Sequence, residues 1–397
     1  MKRLLTLLAF FAICSVAAAQ EGPADIYYTV QFGENVLVYN ANDGSHYTLK
    51  GYAVNIGIDN KHNVYVLVGD APVFGGYNYV GTGYTVYKNG KKYQELQPAG
   101  KEQIYSSMAM KIVGNSVIVA GVESKLFNKK GYESRLVGYV NREQVYQTEW
   151  HRKSLKREHF VGYREVKGSG TSARIEDVRG LNNVVEDPTS LVFYVAAVDY
   201  VDGDIYTTGW GEREYSETPL GYVKQYLVRR CPRVWKNGKQ IVQQYENRTG
   251  AAFSINVKRD GQNILTSGHQ RGHICCWDGS RVMISGSDAN KTIYKEAVLS
   301  NGMVDGSPVF TRVFVDNDRL LGMVNTAKNG NQAPIIVDAG FVDVVAAGKS
   351  FYALSARNDK IYIFSSSNWL TGNYDRNTVK VIEKPHGGDY TLLAVHK

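Results

Sequence analysis

An all-β fold is predicted by three features of this sequence. Forty glycines stand against nine prolines, while 28 Tyr, 13 Phe and 5 Trp supply the aromatic side chains that pack well on pleated surfaces. A strand–turn–strand phrase recurs along the chain. Nine Asn-Gly or Asp-Gly dipeptides, several between β-rich flanks, mark two-residue hairpins, because a type I′ turn needs positive φ at both central positions. With 397 residues and 43% hydrophobic content the chain can bury a large core, which excludes global disorder.

The first element is a leader. Lys2 and Arg3 precede an apolar stretch from Leu4 to Val16, and Ala17-Ala18-Ala19 offers a small-residue cleavage site before Gln20. This is the pattern of a secretory signal peptide over residues 1–19, and it predicts a secreted or periplasmic protein. Cys14 raises the alternative of a cell-surface lipoprotein, but Ile13 stands where a small residue is expected before a lipidated cysteine. No later stretch approaches the roughly 20 apolar residues of a helical span, so no membrane span is expected. Loss of Lys2 and Arg3 takes the formal charge from +8 to +6. This modest excess suits acidic partners, and a nucleic-acid role does not fit an exported chain. Three cysteines then remain, Cys231, Cys275 and Cys276, an odd count that argues against a disulfide framework and leaves room for one bridge from Cys231 to either of the adjacent pair.

The repeats follow in order. The first phrase appears as Tyr52-Ala-Val-Asn-Ile-Gly-Ile with Val64-Tyr-Val-Leu-Val-Gly69, then at Met108 to Gly121, Val192 to Gly209 and Phe253 to Gly268, with weaker copies at Val313 to Met323 and Val342 to Leu354. A second phrase follows several copies: Tyr84-Thr-Val-Tyr-Lys-Asn-Gly-Lys91, Arg233-Val-Trp-Lys-Asn-Gly-Lys239, and degenerate forms at Gly138 to Arg142 and Cys276 to Arg281. Together they make a four-strand unit recurring every 50 to 60 residues, apart from one interval of almost ninety. Four-stranded units at a fixed period predict a β-propeller over residues 20–397 with an insertion at about 150–188. Six blades are expected, or seven if Val379 to Ile382 and Tyr390 to His396 begin another, with N- and C-terminal strands sharing a blade. Two β-sandwich domains would not require one phrase across the whole chain.

On these residues, namely Val64-Tyr65-Val66, Val117 to Gly121, Ile205 to Gly209, Tyr87-Lys88-Asn89-Gly90 and Trp235-Lys236-Asn237-Gly238, the sequence resembles exported bacterial β-propeller repeat proteins. The resemblance spans most of the chain beyond the leader. It implies fold and export and carries no catalytic residue.

Several constellations bear on function. Tyr77 and Tyr79 in one loop, and Trp210 and Tyr215 in another, occupy equivalent positions after second strands and would emerge on one face as an aromatic platform for a carbohydrate or peptide. The insertion interleaves Arg157, Arg164 and Lys167 with His151, His159 and Tyr163. Cations that neutralise carboxylates beside a His or Tyr base are what a lyase acting on an acidic polysaccharide would need. His269, His273 and Cys275, with Cys276 adjacent, are metal-ligand types in a loop entering a strand, but their spacing is poor and no metal or other cofactor is assigned. Asp199, Asp202 and Asp204 lie at a hairpin turn, where Asp-Gly is expected for backbone reasons. There is no G-x-S-x-G elbow, H-E-x-x-H or P-loop. The expectation is therefore a binding scaffold for an unidentified glycan or envelope protein rather than an enzyme, with the lyase as the alternative.

Overall fold

The computed structural model describes residues 24–70, 83–98, 100, 103–127, 131–152, 164–167, 174–177, 193–217, 225–243, 250–257, 264–270, 273–285, 297–304, 307–316, 319–325, 341–347, 350–357, 360–366, 377–383 and 388–396. Residues 1–19, the expected leader, fall outside this set. Every regular element among the described residues is a β-strand, and no helix among them is long and apolar enough to cross a membrane.

The strands form successive antiparallel sheets. After β1 (Asp25–Phe32), β2 (Asn35–Asn40) and β3 (His46–Lys50) comes a four-stranded meander of β4 (Tyr52–Ile58), β5 (Val64–Gly69), β6 (Tyr84–Lys88) and β7 (Lys91–Leu96). The next sheet holds β8 (Gln103–Val113), β9 (Ser116–Phe127), β10 (Gly131–Val140) and β11 (Glu143–Gln147), with β12 (His151–Arg152) also paired to β10. A separate hairpin, β13 (Arg164–Lys167) and β14 (Arg174–Asp177), lies within the insertion. Two more meanders follow: β15 (Phe193–Val201), β16 (Asp204–Glu217), β17 (Gln225–Lys236) and β18 (Lys239–Gln243), then β19 (Gly250–Val257), β20 (Ile264–Gln270), β21 (His273–Asp278) and β22 (Arg281–Ser285). A three-stranded sheet of β23 (Ala297–Val304), β24 (Ser307–Asp316) and β25 (Arg319–Asn325) precedes the meander β26 (Phe341–Ala347), β27 (Ser350–Arg357), β28 (Lys360–Ser366) and β29 (Asn377–Glu383). Finally β30 (Asp389–His396) pairs with β1, so the first sheet has the order β3-β2-β1-β30.

N- and C-terminal strands thus share one sheet, with a single C-terminal strand completing three N-terminal ones. The weak copy expected at Val313 to Met323 is displaced by one strand: it covers β24 and β25, the second and third strands of their sheet. Two-residue connections flank β24 on both sides there, so the two phrases cannot be told apart by spacing.

The second strand of each unit explains the strong apolar runs. Every residue of β5 is buried, as is the stretch Val117 to Ser124 of β9. Alternation sends neighbours to opposite sheets: Val64, Val66 and Val68 join Val36, Val38 and Leu49, while Tyr65 and Leu67 join Tyr105, Met108, Val117 and Val119. On the far side of β9, Ile118, Ala120 and Val122 pack with Val195, Val198, Ile205 and Trp235. Because both faces are covered, a continuous hydrophobic run replaces the alternating pattern of a half-exposed strand. The fourth strands are outer edges, and β11 is largely exposed.

The glycines inside the second strands have a steric cause. In β8, β15 and β19 the register slips at Tyr105/Ser107, Val195/Ala197 and Ala252/Ser254, and the bulge pushes a carbonyl toward the neighbouring strand. A Cβ on Gly121 would lie 2.0 Å from the Ser107 oxygen, on Gly209 1.8 Å from that of Tyr194, and on Gly268 2.0 Å from that of Ala251. Only glycine admits these backbones at that distance.

The Asn of the hairpin motif also does more than turn the chain. Asn89, Asn141 and Asn237 adopt φ of 49°, 49° and 47°. Their Oδ1 atoms accept the amides of Val64, Val117 and Ile205 at 2.8, 2.9 and 2.8 Å, and their own amides donate to the carbonyls of the same three residues. Each third-to-fourth hairpin is thereby fastened to the start of the second strand.

Polar ties join neighbouring sheets as well. Asn55 Oδ1 accepts the Met110 amide, Ser107 Oγ accepts the Val195 amide, and the buried Asp199 carboxylate takes Lys111 Nζ at 2.6 Å and the Val257 amide at 2.7 Å. Asp199 therefore bonds to the sheets on both sides of its own, which is a structural role for a residue first noted as a turn carboxylate.

Two measurements check this account. Gly209→Ala should destabilise by about 1–3 kcal/mol or more, read as a lower urea midpoint, because the clash is with backbone. An unchanged midpoint would mean that the bulge yields freely. Asp199→Ala should cost about 3 kcal/mol in the same assay by stranding the Val257 amide and the Lys111 ammonium; a loss below about 0.5 kcal/mol would remove the bridging role.

Candidate functional site

Strand direction separates two ends in each sheet. First-to-second and third-to-fourth connections are mostly tight, as at 89–90, 114–115, 141–142, 202–203 and 237–238. Second-to-third connections and those leading to the next sheet include the longest, at 70–83, 153–192, 286–296 and 326–340. Clusters of charged and ligand-type side chains lie at both ends.

At the long-connection end of the β8–β11 sheet, β9 and β10 carry matched charges. The register places Lys125 opposite Glu133 and Glu123 opposite Arg135. Directly paired residues share a face, so opposite charges meet. Lys125 Nζ lies 3.1 Å from Glu133 Oε2, and Arg135 Nε donates to Glu123 Oε2 at 2.6 Å, with the Glu123 side chain only 3% exposed. Over both cations lies Trp150, with Lys125 Nζ 4.1 Å and Arg135 Cζ 4.5 Å from its ring centroid. Thr148 steers the chain into this position, its amide donating to the Leu136 carbonyl and its hydroxyl accepting the Leu136 amide. Below, the Tyr105 and Tyr139 hydroxyls are 2.9 Å apart, and burial pushes both phenols above their ordinary range. The four charges balance. What the arrangement presents is a half-buried indole held by two cations at the root of the insertion.

The expected site residues fall in different places. Tyr77 and Tyr79 lie outside the described residues, as do Arg157, His159 and Tyr163. Trp210 and Tyr215 belong to the long strand β16 rather than to a loop. Trp210 is fully buried, stacked on Tyr194 at 5.9 Å beside Ala251 and Phe253, so its ring packs the core and has no face to offer a ligand. Burial also raises the Tyr194 phenol to about 12. His151 is exposed in β12 with its ring edge-on to Phe193. Arg164 and Lys167 sit in β13, in register with Asp177 and Arg174. His269, His273 and Cys275 occupy the β20–β21 hairpin rather than a loop, with His269 in register with Ile274 and His273 with Gln270. Cys231 is buried in β17.

At the tight-turn end the fold assembles a set of metal-ligand types that sequence reading missed. Asp25 opens β1 and is in register with His396 near the end of β30. His62, in the turn between β4 and β5, contacts the Asp25 carboxylate through Nδ1 and meets the His396 ring edge-on at 5.1 Å. One ligand atom from each of the three lies within 4.8 Å of the other two. Asn60 Oδ1 is 3.5 Å from His396 Nε2.

The turn that presents His62 is built by Asp59. Its nearly inaccessible carboxylate accepts the Lys61 and Asn63 amides at 2.9 and 2.8 Å, the Asn63 side chain, and the Tyr65 hydroxyl at 3.1 Å. This frame holds His62 at a φ of 61°, and the His62 amide donates to the Asp59 carbonyl. Desolvation opposes ionisation of Asp59, but the bonds from Asn63, Lys61 and Tyr65 outweigh it and hold its carboxyl below the ordinary value of 3.8.

The signals for the two clusters differ. Glu123-Ser-Lys125 and Glu133-Ser-Arg135 are like-spaced opposite charges on adjacent strands, readable once the hairpin is aligned. Asp25, His62 and His396 are separated by almost the whole chain and give no local signal.

No protein-family model matches this chain, and no curated protein matches it. Among solved structures it is similar to a Lactobacillus plantarum protein at 9% identity and TM-score 0.39, covering 94% of this chain and 99% of that one. An acylaminoacyl peptidase matches at 10% identity and TM-score 0.37, and Trypanosoma rangeli sialidase at 10% and 0.30, covering 85% and 89% of this chain. The chain spans 49% of the peptidase and 56% of the sialidase.

Asp59 sets an acid limit on the turn. A carboxyl with a depressed folded pKa contributes stability that is present above the unfolded value near 3.8 and lost as pH falls through the lower folded value. Melting followed from pH 5 downward should show the wild type losing stability more steeply below about 3.8 than Asp59→Asn does. Parallel curves would show that the turn does not depend on this ionisation.

Proposed function

We propose that the chain is an exported β-propeller of seven sheets in a single domain that serves as a binding scaffold for a glycan or another envelope component, through the end where its long connections gather. The sheet count follows from assigning β30 to the first sheet and β29 to the last meander. The order of neighbouring first strands supports a ring: β30 lies beside β4, β4 beside β8, and so on through β15, β19, β23 and β26 back to β30.

The observation that carries the binding reading is Trp150 over Lys125 and Arg135. An indole lies against sugar rings readily, and the two cations packed on its face hold it in place. Trp150 stands at the end of its sheet from which the longer connections leave, which supports that end as the binding one. Both carboxylates of the cluster are engaged by cations, which suits recognition better than acid–base work.

A panel of neutral and uronate-containing polysaccharides, with titration calorimetry on those retained, tests the reading. Binding should fall at least tenfold in Trp150→Ala and partly recover in Trp150→Phe, with melting measured alongside to separate folding from recognition. Failure to bind any glycan or envelope protein would overturn it. An ultraviolet signal from unsaturated uronate product would replace it with the lyase.

A further inference from the structure

We propose that Asp25, His62 and His396 form a site for a divalent transition metal of the zinc or copper type, which cross-links the two terminal strands to the neighbouring sheet. Two imidazoles and one carboxylate are the donor set such borderline ions prefer, and three protein ligands leave a position for water. The three side chains come from β1, β30 and the β4–β5 turn, and each is placed by something other than chance contact. Asp25 and His396 are opposite one another in the antiparallel ladder, which puts their side chains on one face. His62 is held by the Asp59 frame, and the Asn60 amide anchors the same turn to the Gly114 carbonyl of the next sheet at 3.1 Å.

A tetrahedral zinc ion with bonds of about 2.0–2.1 Å needs ligand atoms roughly 3.3 Å apart. The ligand atoms lie within 4.8 Å of one another, and the 64% exposed His62 and 31% exposed Asp25 have room to turn toward that spacing. A simple ion pair between Asp25 and His62 would leave the neighbouring His396 ring unexplained. Two imidazoles turned edge to face beside one carboxylate are accounted for when a cation replaces their protons. Asn60 Oδ1, 3.5 Å from His396 Nε2, is placed to orient that ring from outside the ligand set. The site is at the opposite end of the sheets from Trp150 and stands independently of the glycan reading.

The test is zinc chloride titrated into tag-free protein that has been stripped with chelator and dialysed. One ion per chain should bind, and the melting temperature should rise by several degrees at saturation, since a ligand bound only by the folded state stabilises it. His62→Ala and His396→Ala should each weaken binding at least tenfold and abolish the melting shift, while far-ultraviolet dichroism stays unchanged because the turn is held by Asp59 and backbone amides and β30 by its ladder, not by either imidazole. His269→Ala and His273→Ala should bind as the wild type does. Copper-loaded protein should show nitrogen hyperfine splitting that weakens when either His62 or His396 is replaced. Absence of saturable binding, several weak equivalents per chain, or binding that survives both His62→Ala and His396→Ala would overturn the proposal.

Discussion

Burial of the second strand on both faces governs most of this structure. Once β5 or β9 must be covered on two sides, each sheet needs a neighbour on either hand, and the sheets can only follow one another face to face. Alternate residues of one strand then belong to two different cores, so Val64 and Tyr65 report on separate interfaces although they are adjacent in sequence. The same requirement leaves fourth strands such as β11 outside and polar. It also explains why β30 crosses the whole chain to pair with β1: with Tyr352 and Leu354 of the last meander, Leu393 covers Ile26, Tyr28 and Val30, which would otherwise lie bare.

Close packing of sheets leaves little space for backbone irregularity, yet β4, β8, β15, β19 and β26 each carry a bulge. The resulting carbonyl displacement is absorbed by glycine in the partner strand at Gly121, Gly209 and Gly268. Polar groups exposed by the irregular strands are taken up across sheet boundaries, by Asn55, Ser107 and Asp199. Strain, small residues and inter-sheet bonds are therefore parts of one arrangement, and a change at one is felt in the adjacent sheet.

The two ends of the sheets differ in build. Tight turns fastened by Asn89, Asn141 and Asn237 fix one end, and it is there that rigid placement brings Asp25, His62 and His396 together. The other end carries the long connections, with Trp150 supported on a balanced set of charges.

Much of the architecture was legible in the sequence because its causes are local. Apolar runs such as Val64 to Gly69, Asn-Gly turns and the glycines of the second strands follow from strand burial and backbone sterics, so the four-strand unit could be read without coordinates. The split between six and seven sheets was not, since β24–β25 and β8–β9 look alike when the connections on both sides are short. Trp210 misled for a related reason: a tryptophan after a predicted strand end looks like a loop residue, and only extension of β16 and the cover of Tyr194 and Phe253 make it core. Glu123, Lys125, Glu133 and Arg135 stood between these cases, their pairing implicit in hairpin register. Asp25, His62 and His396 were beyond sequence altogether. By itself the sequence determined which segments become strands and where they turn, because those choices depend on neighbours within a few residues; tertiary structure alone decided which distant side chains meet, because β30 reaches Asp25 only after every intervening sheet has been laid down.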